Sequence, residues 1–210
     1  MEFTSFHYLV FVVIGSFGLG SIPFGFILTQ KFGLGDIRTI GSGNIGATNV
    51  LRTGNKELAI ATLILDGLKG VVALLLARLL ASHVEIEFAY IVEVAFVAAV
   101  IGHCFPVWLK FKGGKGVATV LCSLLAYHYV IGLMCAAVWL FVFAFTKISS
   151  LSSLSSVLAL PFVAFILTND MNIAFFMNML TLLVIFRHKD NIKRILAGEE
   201  KPSSFKKDKG

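Results

Sequence analysis

VATVLCSLLAYHYVIGLMCAAVWLFVFAFT, residues Val117–Thr146, runs for 30 residues without a Lys, Arg, Asp or Glu, and how often it crosses a membrane decides the fold. As one helix it would be roughly 45 Å long against a hydrocarbon core of about 30 Å, so length leaves one or two crossings open. Read as one span, it gives six crossings and puts the basic cluster Arg187–Arg194 on the face opposite Lys110, Lys112 and Lys115. Read as two short spans, it gives seven, and 16 of the 18 Lys and Arg gather on one face, leaving only Lys69 and Arg78 inside the second apolar run. The positive-inside bias selects seven and makes that face cytoplasmic. Tyr127, His128, Tyr129 and Gly132 then supply an outer turn, with the tyrosines at interface depth.

The rest of the chain agrees with a membrane protein. Hydrophobic residues make up 57% and charged ones 14%, with a mean hydropathy of +0.88, which leaves no ordinary water-facing surface. Apolar runs near Phe6–Leu28, Leu58–Leu80, Phe88–Val107, Leu151–Leu167 and Ile173–Phe186 leave no room for a separate soluble domain. Residues 1–210 therefore read as one all-α polytopic domain with seven transmembrane helices. Glu2, the lack of Lys or Arg before the first run and the lack of a small-residue cleavage pattern predict a retained first span, with the N-terminus outside and the C-terminus cytoplasmic. Outer connections fall at Ser82–Glu87 and Thr168–Asn172, and the tail from Lys201 to Gly210 reads as a solvated, lipid-attracted end. Several spans come out nearer 14 residues than the roughly 20 of a simple crossing, so some helices tilt little or some loops dip inward. Cys104, Cys122 and Cys135 are scattered through apolar segments, which predicts buried thiols and neither disulfides nor a metal site. The serine run from Ser149 to Ser156 reads as helix capping and close packing.

Three polar clusters share the cytoplasmic face. The first, GSGNIGATNVLRTG at Gly41–Gly54, carries no charge before Arg52. Its small groups can wrap a polar ligand, with Ser42 and asparagines such as Asn44 as neutral contacts and Arg52 as a bidentate phosphate partner. A turn followed by a short helix capped by Thr48 or Asn49 is the plainer alternative. The second, GHCFPVWLKFKGGKGVAT at Gly102–Thr119, sets Lys112, Gly113, Gly114, Lys115 and Gly116 before an apolar helix. Unshielded backbone N–H groups, a helix N-terminus and cations together suit a phosphate; a plain positive-inside loop is the alternative. It is no nucleotide P-loop, because Leu109 stands at the first glycine position and Gly116 where Ser or Thr should follow the lysine. His103 just before it reads as a packing histidine rather than a catalyst. The third, RHKDNIKR at Arg187–Arg194, reads as a basic segment that grips anionic lipid, but that leaves His188 and Asn191 among the cations unexplained. Asp66 and Lys69 share one helix face at i, i+3 and read as a buried pair with an electrostatic influence on the site. Glu93, alone in the third run, should face protein.

These clusters, with LDGLKG at Leu65–Gly70 and Gly198-Glu199 after the third, make the chain resemble the bacterial acyl-phosphate-dependent glycerol-3-phosphate acyltransferases over essentially its whole length. The resemblance implies transfer of a fatty acyl group from acyl phosphate to the 1-hydroxyl of glycerol 3-phosphate, giving lysophosphatidic acid and phosphate. It implies seven spans in the bacterial cytoplasmic membrane, an active site facing the cytoplasm, a monomer, no cofactor and no nucleic-acid partner. Ser42, Arg52, Lys112, Gly113, Gly114, Lys115, His188 and Asn191 are the functional positions it carries over, with Asp66, Lys69, His103 and Glu199 as supporting polar groups. Ile45 stands where proline is common in the family. On this reading His188, positioned by Asn191, is a general base or an orienting group, and a substrate phosphate is the rival proton acceptor.

The His-x4-Asp motif of soluble-type acyltransferases is absent, since Trp108 stands five residues after His103 and Lys193 five after His188. A transporter for a phosphorylated metabolite is the alternative from another class. An odd span count, no visible repeat and cations gathered on one face weigh against it.

Overall fold

The structure, a computed structural model, describes residues 2–84 and 89–203, with side chains from Ser5 onward. The expected acidic turn at Ser82–Glu87 and the tail beyond Ser203 thus fall partly outside the described residues. The first apolar run stays one candidate span, Ser5–Lys31, as expected, but it is built from two helices: α1 (Glu2–Gly20) stops before Ser21-Ile22-Pro23, and α2 (Phe24–Lys31) resumes the path. Pro23 has no N–H to give and disfavours helical geometry at the residue before it. Lys69 Nζ donates to the Ile22 carbonyl at this break, at 2.8 Å.

Beyond α2 come the one-turn α3 (Ala47–Val50), α4 (Lys56–His83), α5 (Ile91–Cys104), α6 (Val117–Tyr127), α7 (Tyr129–Thr146), α8 (Ser149–Thr168), α9 (Met171–Arg187) and α10 (Lys189–Leu196). Short 3-10 turns lie at Ile37–Thr39, Leu51–Thr53 and Val107–Leu109. Start signals act where they stand in the sequence. Asn55 Oδ1 accepts from the Leu58 N–H to open α4, and Asp170 does the same for Asn172 and Ile173 in α9.

The 30-residue run is two helices, as charge distribution predicted, joined at His128 in extended geometry. Gly132 is not part of that turn. It lies inside α7, where a Cβ would strike the Leu125 backbone, so its role is to let α7 cross α6 closely. Five segments among the described residues are long and apolar enough to cross a membrane: Ser5–Lys31, Lys56–His83, Ile91–Leu109, Tyr129–Thr146 and Ser149–Thr168. A sixth arises if α9 and α10, bent by 65° at His188, count as one. α6, with 11 residues, rises only about 16 Å, half of a core of about 30 Å.

A helix that short leaves carbonyls at depth, and Arg78 on α4 answers them. Its Nη1 donates to the Ala126 carbonyl at 2.8 Å and its Nη2 to the Tyr127 carbonyl at 2.6 Å, which also places a cation at the negative end of the helix. Tyr127 in turn donates its hydroxyl to buried Glu93, so Glu93 faces protein as expected. α1 packs on α5, α6 on α4, and α8 between α7 and α9. The main core gathers Leu74, Phe96, Val100, Val120, Leu124, Leu160, Met177 and Val184. A smaller one, built from Ile37, Ile45, Val50, Leu58 and Leu109, lies under the first polar cluster. Ile45 is fully buried there, which gives the departure from proline a packing role. Leu, Ile and Phe side chains cover the outer faces of α4, α7 and α8, as a surface against lipid requires.

Candidate active site

Asn49 organises the first cluster. Its buried side chain brings Nδ2 within 3.0 Å of the carbonyls of Ile37, Ile40 and Asn44, and its Oδ1 accepts from the Ser42 N–H. The capping alternative assigned Asn49 to backbone donors; instead it mainly collects carbonyls and ties the loop into one shape. Gly41 makes this possible, because its φ of 54° is left-handed and a Cβ there would strike Asn49 and Arg52. The loop presents Ser42, Asn44 and Arg52 to a cavity of about 610 Å³. The Arg52 side chain makes no hydrogen bond or ion pair among the described residues, so its donors face the cavity free.

The glycine–lysine loop meets the same cavity, but differently from the expectation. The Gly113 and Gly114 N–H groups are not unshielded: they donate to the carbonyls of Cys104 and His103. Their own carbonyls accept from Arg187, Nη2 to Gly113 at 2.8 Å and Nε to Gly114 at 3.0 Å. Neither lines the cavity. They are the mount of the loop, and a Cβ on Gly114 would overlap the His103 imidazole. Lys112 is exposed and also stands outside the cavity. What the loop presents is Lys115, Gly116 and the N-terminus of α6 at Val117 and Ala118. Gly116 caps that helix at φ 85° without a side-chain acceptor, so the first-turn N–H groups are left for a ligand.

The third cluster closes the site. Lys115 Nζ donates to Asn191 Oδ1 at 2.6 Å. Burial pushes the Lys115 ammonium down to about 8, with Glu200 opposing that shift and Arg194, Arg187 and Arg52 adding to it. His188 caps α9 just beyond its last helical residue and is buried. Its Nδ1 lies 2.8 Å from the Val184 carbonyl; a carbonyl only accepts, so Nδ1 carries the hydrogen and Nε2 keeps its lone pair. Burial, then the Lys115 charge, lowers its pKa to about 4. The Val184 carbonyl thus orients the ring, and Asn191, expected to do so, serves Lys115 instead.

Glu200, one residue beyond the Glu199 of the sequence reading, is the site group that reasoning missed. Glu199 also lines the cavity, but is exposed. Glu200 accepts from Ser150 Oγ, Asn191 Nδ2 and Arg194 Nε. Burial works against its charge, but those three bonds hold its carboxyl below the usual range. It therefore sets the Asn191 amide so that Oδ1 faces Lys115, and it ties α8 to α10. The serine run is largely packing, as expected, since Ser156 donates to the Cys135 carbonyl and Ser153 accepts from Trp139, but Ser149, Ser150 and Ser153 also reach the cavity. A Glu200→Ala change should raise KM for an anionic substrate and cost about 1–3 kcal/mol of stability, because the buried donors Ser150 and Asn191 and the half-exposed Arg194 lose one shared acceptor; steady-state kinetics and thermal unfolding check both.

Asp66 and His103 line the cavity's inner wall. Asp66 accepts from Lys69 at 2.9 Å, as the i, i+3 spacing predicted, and His103 Nδ1 stands 3.7 Å from the same carboxylate.

Cations, a neutral hydrogen-bonding loop and an open helix N-terminus thus meet at one cavity, a set of groups that suits phosphate. A family profile described as glycerol-3-phosphate acyltransferase matches residues 10–198. The glycerol-3-phosphate acyltransferase of Rhodospirillum rubrum is 50% identical over 192 residues, 90% of this chain and 88% of that protein. That of Paramagnetospirillum magneticum is also 50% identical, covering 91% and 92%. Two crystal structures of PlsY (YgiH), an integral membrane glycerol 3-phosphate acyltransferase, are similar. The glycerol 3-phosphate form has a TM-score of 0.85 and 35% identity over 93% of this chain and 96% of that one. The lysophosphatidic acid form has a TM-score of 0.82 and 34% identity over 92% and 94%. Matched along nearly its full length by sequence and by fold, the chain belongs to the glycerol-3-phosphate acyltransferase family.

Proposed function

We propose that this protein acylates the 1-hydroxyl of sn-glycerol 3-phosphate from a long-chain acyl phosphate, yielding lysophosphatidic acid and inorganic phosphate, the first acylation of phospholipid synthesis. The observation that carries the reading is the convergence of Ser42, Arg52, Lys115, His188 and Asn191, from three distant segments, on one cavity. The topology that fits is seven crossings with α6 as the short one, the N-terminus outside and the cavity facing the cytoplasm of a bacterial inner membrane. The protein works as a single-domain monomer without a cofactor.

An acyl phosphate is a mixed anhydride with a good leaving group, so positioning and charge neutralisation can carry the reaction. The glycerol hydroxyl oxygen attacks the acyl carbon, the bond from that carbon to the phosphate oxygen breaks, and phosphate departs. Arg52, Lys115 and the α6 N-terminus bear the phosphate charge, with Ser42 and Asn44 as neutral contacts. His188 stays neutral across the physiological range and offers Nε2 as an acceptor that orients the attacking hydroxyl. With a pKa of about 4 it is a weaker base than a phosphate whose second pKa is about 6. On this reading a substrate phosphate accepts the proton and His188, whose Nδ1 is tied to the Val184 carbonyl, is the orienting group.

The direct test gives purified protein glycerol 3-phosphate with either palmitoyl phosphate or palmitoyl-CoA; lysophosphatidic acid from the first alone supports the reading, and none from the first overturns it. A pH prediction follows from Lys115. Above about pH 8 its ammonium loses a proton and positive charge leaves the site, so kcat/KM for glycerol 3-phosphate should fall there. A Lys115→Arg variant should move that limb to higher pH. Between pH 5 and 8 no limb from His188 is expected, and one that disappears in His188→Ala would make histidine the base after all.

A further inference from the structure

Arg187 does not line the cavity, yet it holds two sides of the site together. Its guanidinium donates from Nη2 to the Gly113 carbonyl at 2.8 Å and from Nε to the Gly114 carbonyl at 3.0 Å. The same group lies over the Phe105 ring, 5.1 Å from its centroid, where a cation meets the negative face of the ring. From the other direction the carbonyls of Cys104 and His103 accept the Gly113 and Gly114 N–H groups at 3.2 and 3.1 Å. Two successive peptides are thus pinned between the end of α5 and the last residue of α9, and the next residue is Lys115, which lines the cavity. Arg187 also directly precedes His188, and four residues on from it stands Asn191, whose Oδ1 accepts from Lys115 Nζ at 2.6 Å. The contacts close a ring: from Arg187 to the Gly114 peptide, along the chain to Lys115, across to Asn191 and back through the start of α10. Such a ring sets the spacing between Lys115 and His188, which come from different segments of the chain. A cation at the C-terminal end of α9 needs no particular shape to meet the helix dipole. Two carbonyls on successive peptides need two donors in a fixed fork, which a guanidinium has and an ammonium lacks.

We propose that Arg187 is a positioning residue for the reaction: its fork holds the Gly113-Gly114 mount so that Lys115 and His188 face the substrates at one fixed spacing. Arg187 itself touches neither substrate. This rests on the reading of Lys115 as a group that bears substrate phosphate, and adds a residue that acts through it.

An Arg187→Lys variant keeps the positive charge at the end of α9 and loses the fork. Full-length protein in phospholipid vesicles is assayed with glycerol 3-phosphate and palmitoyl phosphate. The variant is expected to lower kcat/KM for glycerol 3-phosphate about tenfold or more, since a misplacement of about 1 Å at a reacting centre costs about a hundredfold. The decisive comparison is with Lys115→Met, in which the ring is already open. The double variant, Arg187→Lys with Lys115→Met, is expected within about threefold of Lys115→Met alone, because residues that act as a unit do not add their losses. A merely structural role would not give that relation. Losses that multiply in the double variant overturn the proposal, and so does an Arg187→Lys protein as active as the wild type. Should Arg187→Lys fail to fold, Gly114→Ala opens the mount from the α5 side, where the new Cβ meets the His103 imidazole. The same relation to Lys115→Met is expected of it, and multiplying losses overturn the proposal equally. If the unaltered protein makes no lysophosphatidic acid, or Lys115→Met loses only a few fold, it is the reading of the site that falls, and this proposal with it.

Discussion

Replacing Lys115 by methionine should lower kcat/KM for glycerol 3-phosphate by about a hundred- to a thousandfold. The loss is large because the half-buried ammonium stands one residue before the Gly116 cap of α6 and because its partner Asn191 and the neighbouring Glu200 stay in place without it. Removing one member of a buried, hydrogen-bonded charge arrangement costs about 2–5 kcal/mol, and a difference of 1.36 kcal/mol is tenfold in rate. Lys112→Met is the companion measurement. Lys112 is only three residues away but exposed and off the cavity, so its change should stay within a few fold. Equal effects from both lysines would show that overall loop charge, and not the Lys115 geometry, is what the substrate meets.

The largest stability effect is expected at Asp66. In Asp66→Ala, Lys69 keeps a buried charge with only the Ile22 carbonyl as hydrogen-bond partner. Leaving one member of a buried pair uncompensated costs about 3–5 kcal/mol, which should appear as a clear fall in Tm in detergent. The double variant Asp66→Leu with Lys69→Met should recover most of that loss, since it removes both charges and keeps apolar volume. Should the double variant be as unstable as the single one, the ion pair is not what holds α4 to the break between α1 and α2.

Much of this could be read in the sequence, for identifiable reasons. Charge asymmetry is a global property that needs no contacts; it called for two crossings in Val117–Thr146, and the structure has two helices there. Asp66 and Lys69 pair through helical spacing, which is fixed locally. Ser42, Arg52, Lys115, His188 and Asn191 were legible as residue types out of place among apolar runs and cationic turns. The glycines of the second cluster were harder. Their small size was visible, but whether their N–H groups face a ligand depends on carbonyls in α5, and Arg187, more than 70 residues onward, fixes the other side of the same peptides. The break at Pro23 carried a signal, proline just past the glycine-rich end of α1, that the apolar count of the run concealed. Glu200 carried none relative to Glu199, since two adjacent carboxylates differ only in which side of the chain meets Ser150, Asn191 and Arg194.

The sequence by itself determined the all-helical membrane class, the break that makes two helices of the central run and the polar, cationic character of three segments, because these follow from hydropathy, charge and local spacing. Only the tertiary structure decided which lysine serves the cavity, that Gly113 and Gly114 build the loop's mount instead of binding through their N–H groups, and that a neutral His188 is oriented by Val184. Each of those depends on where a hydrogen-bond partner from a distant helix arrives, and packing between helices, not the order of residues along one of them, brings it there.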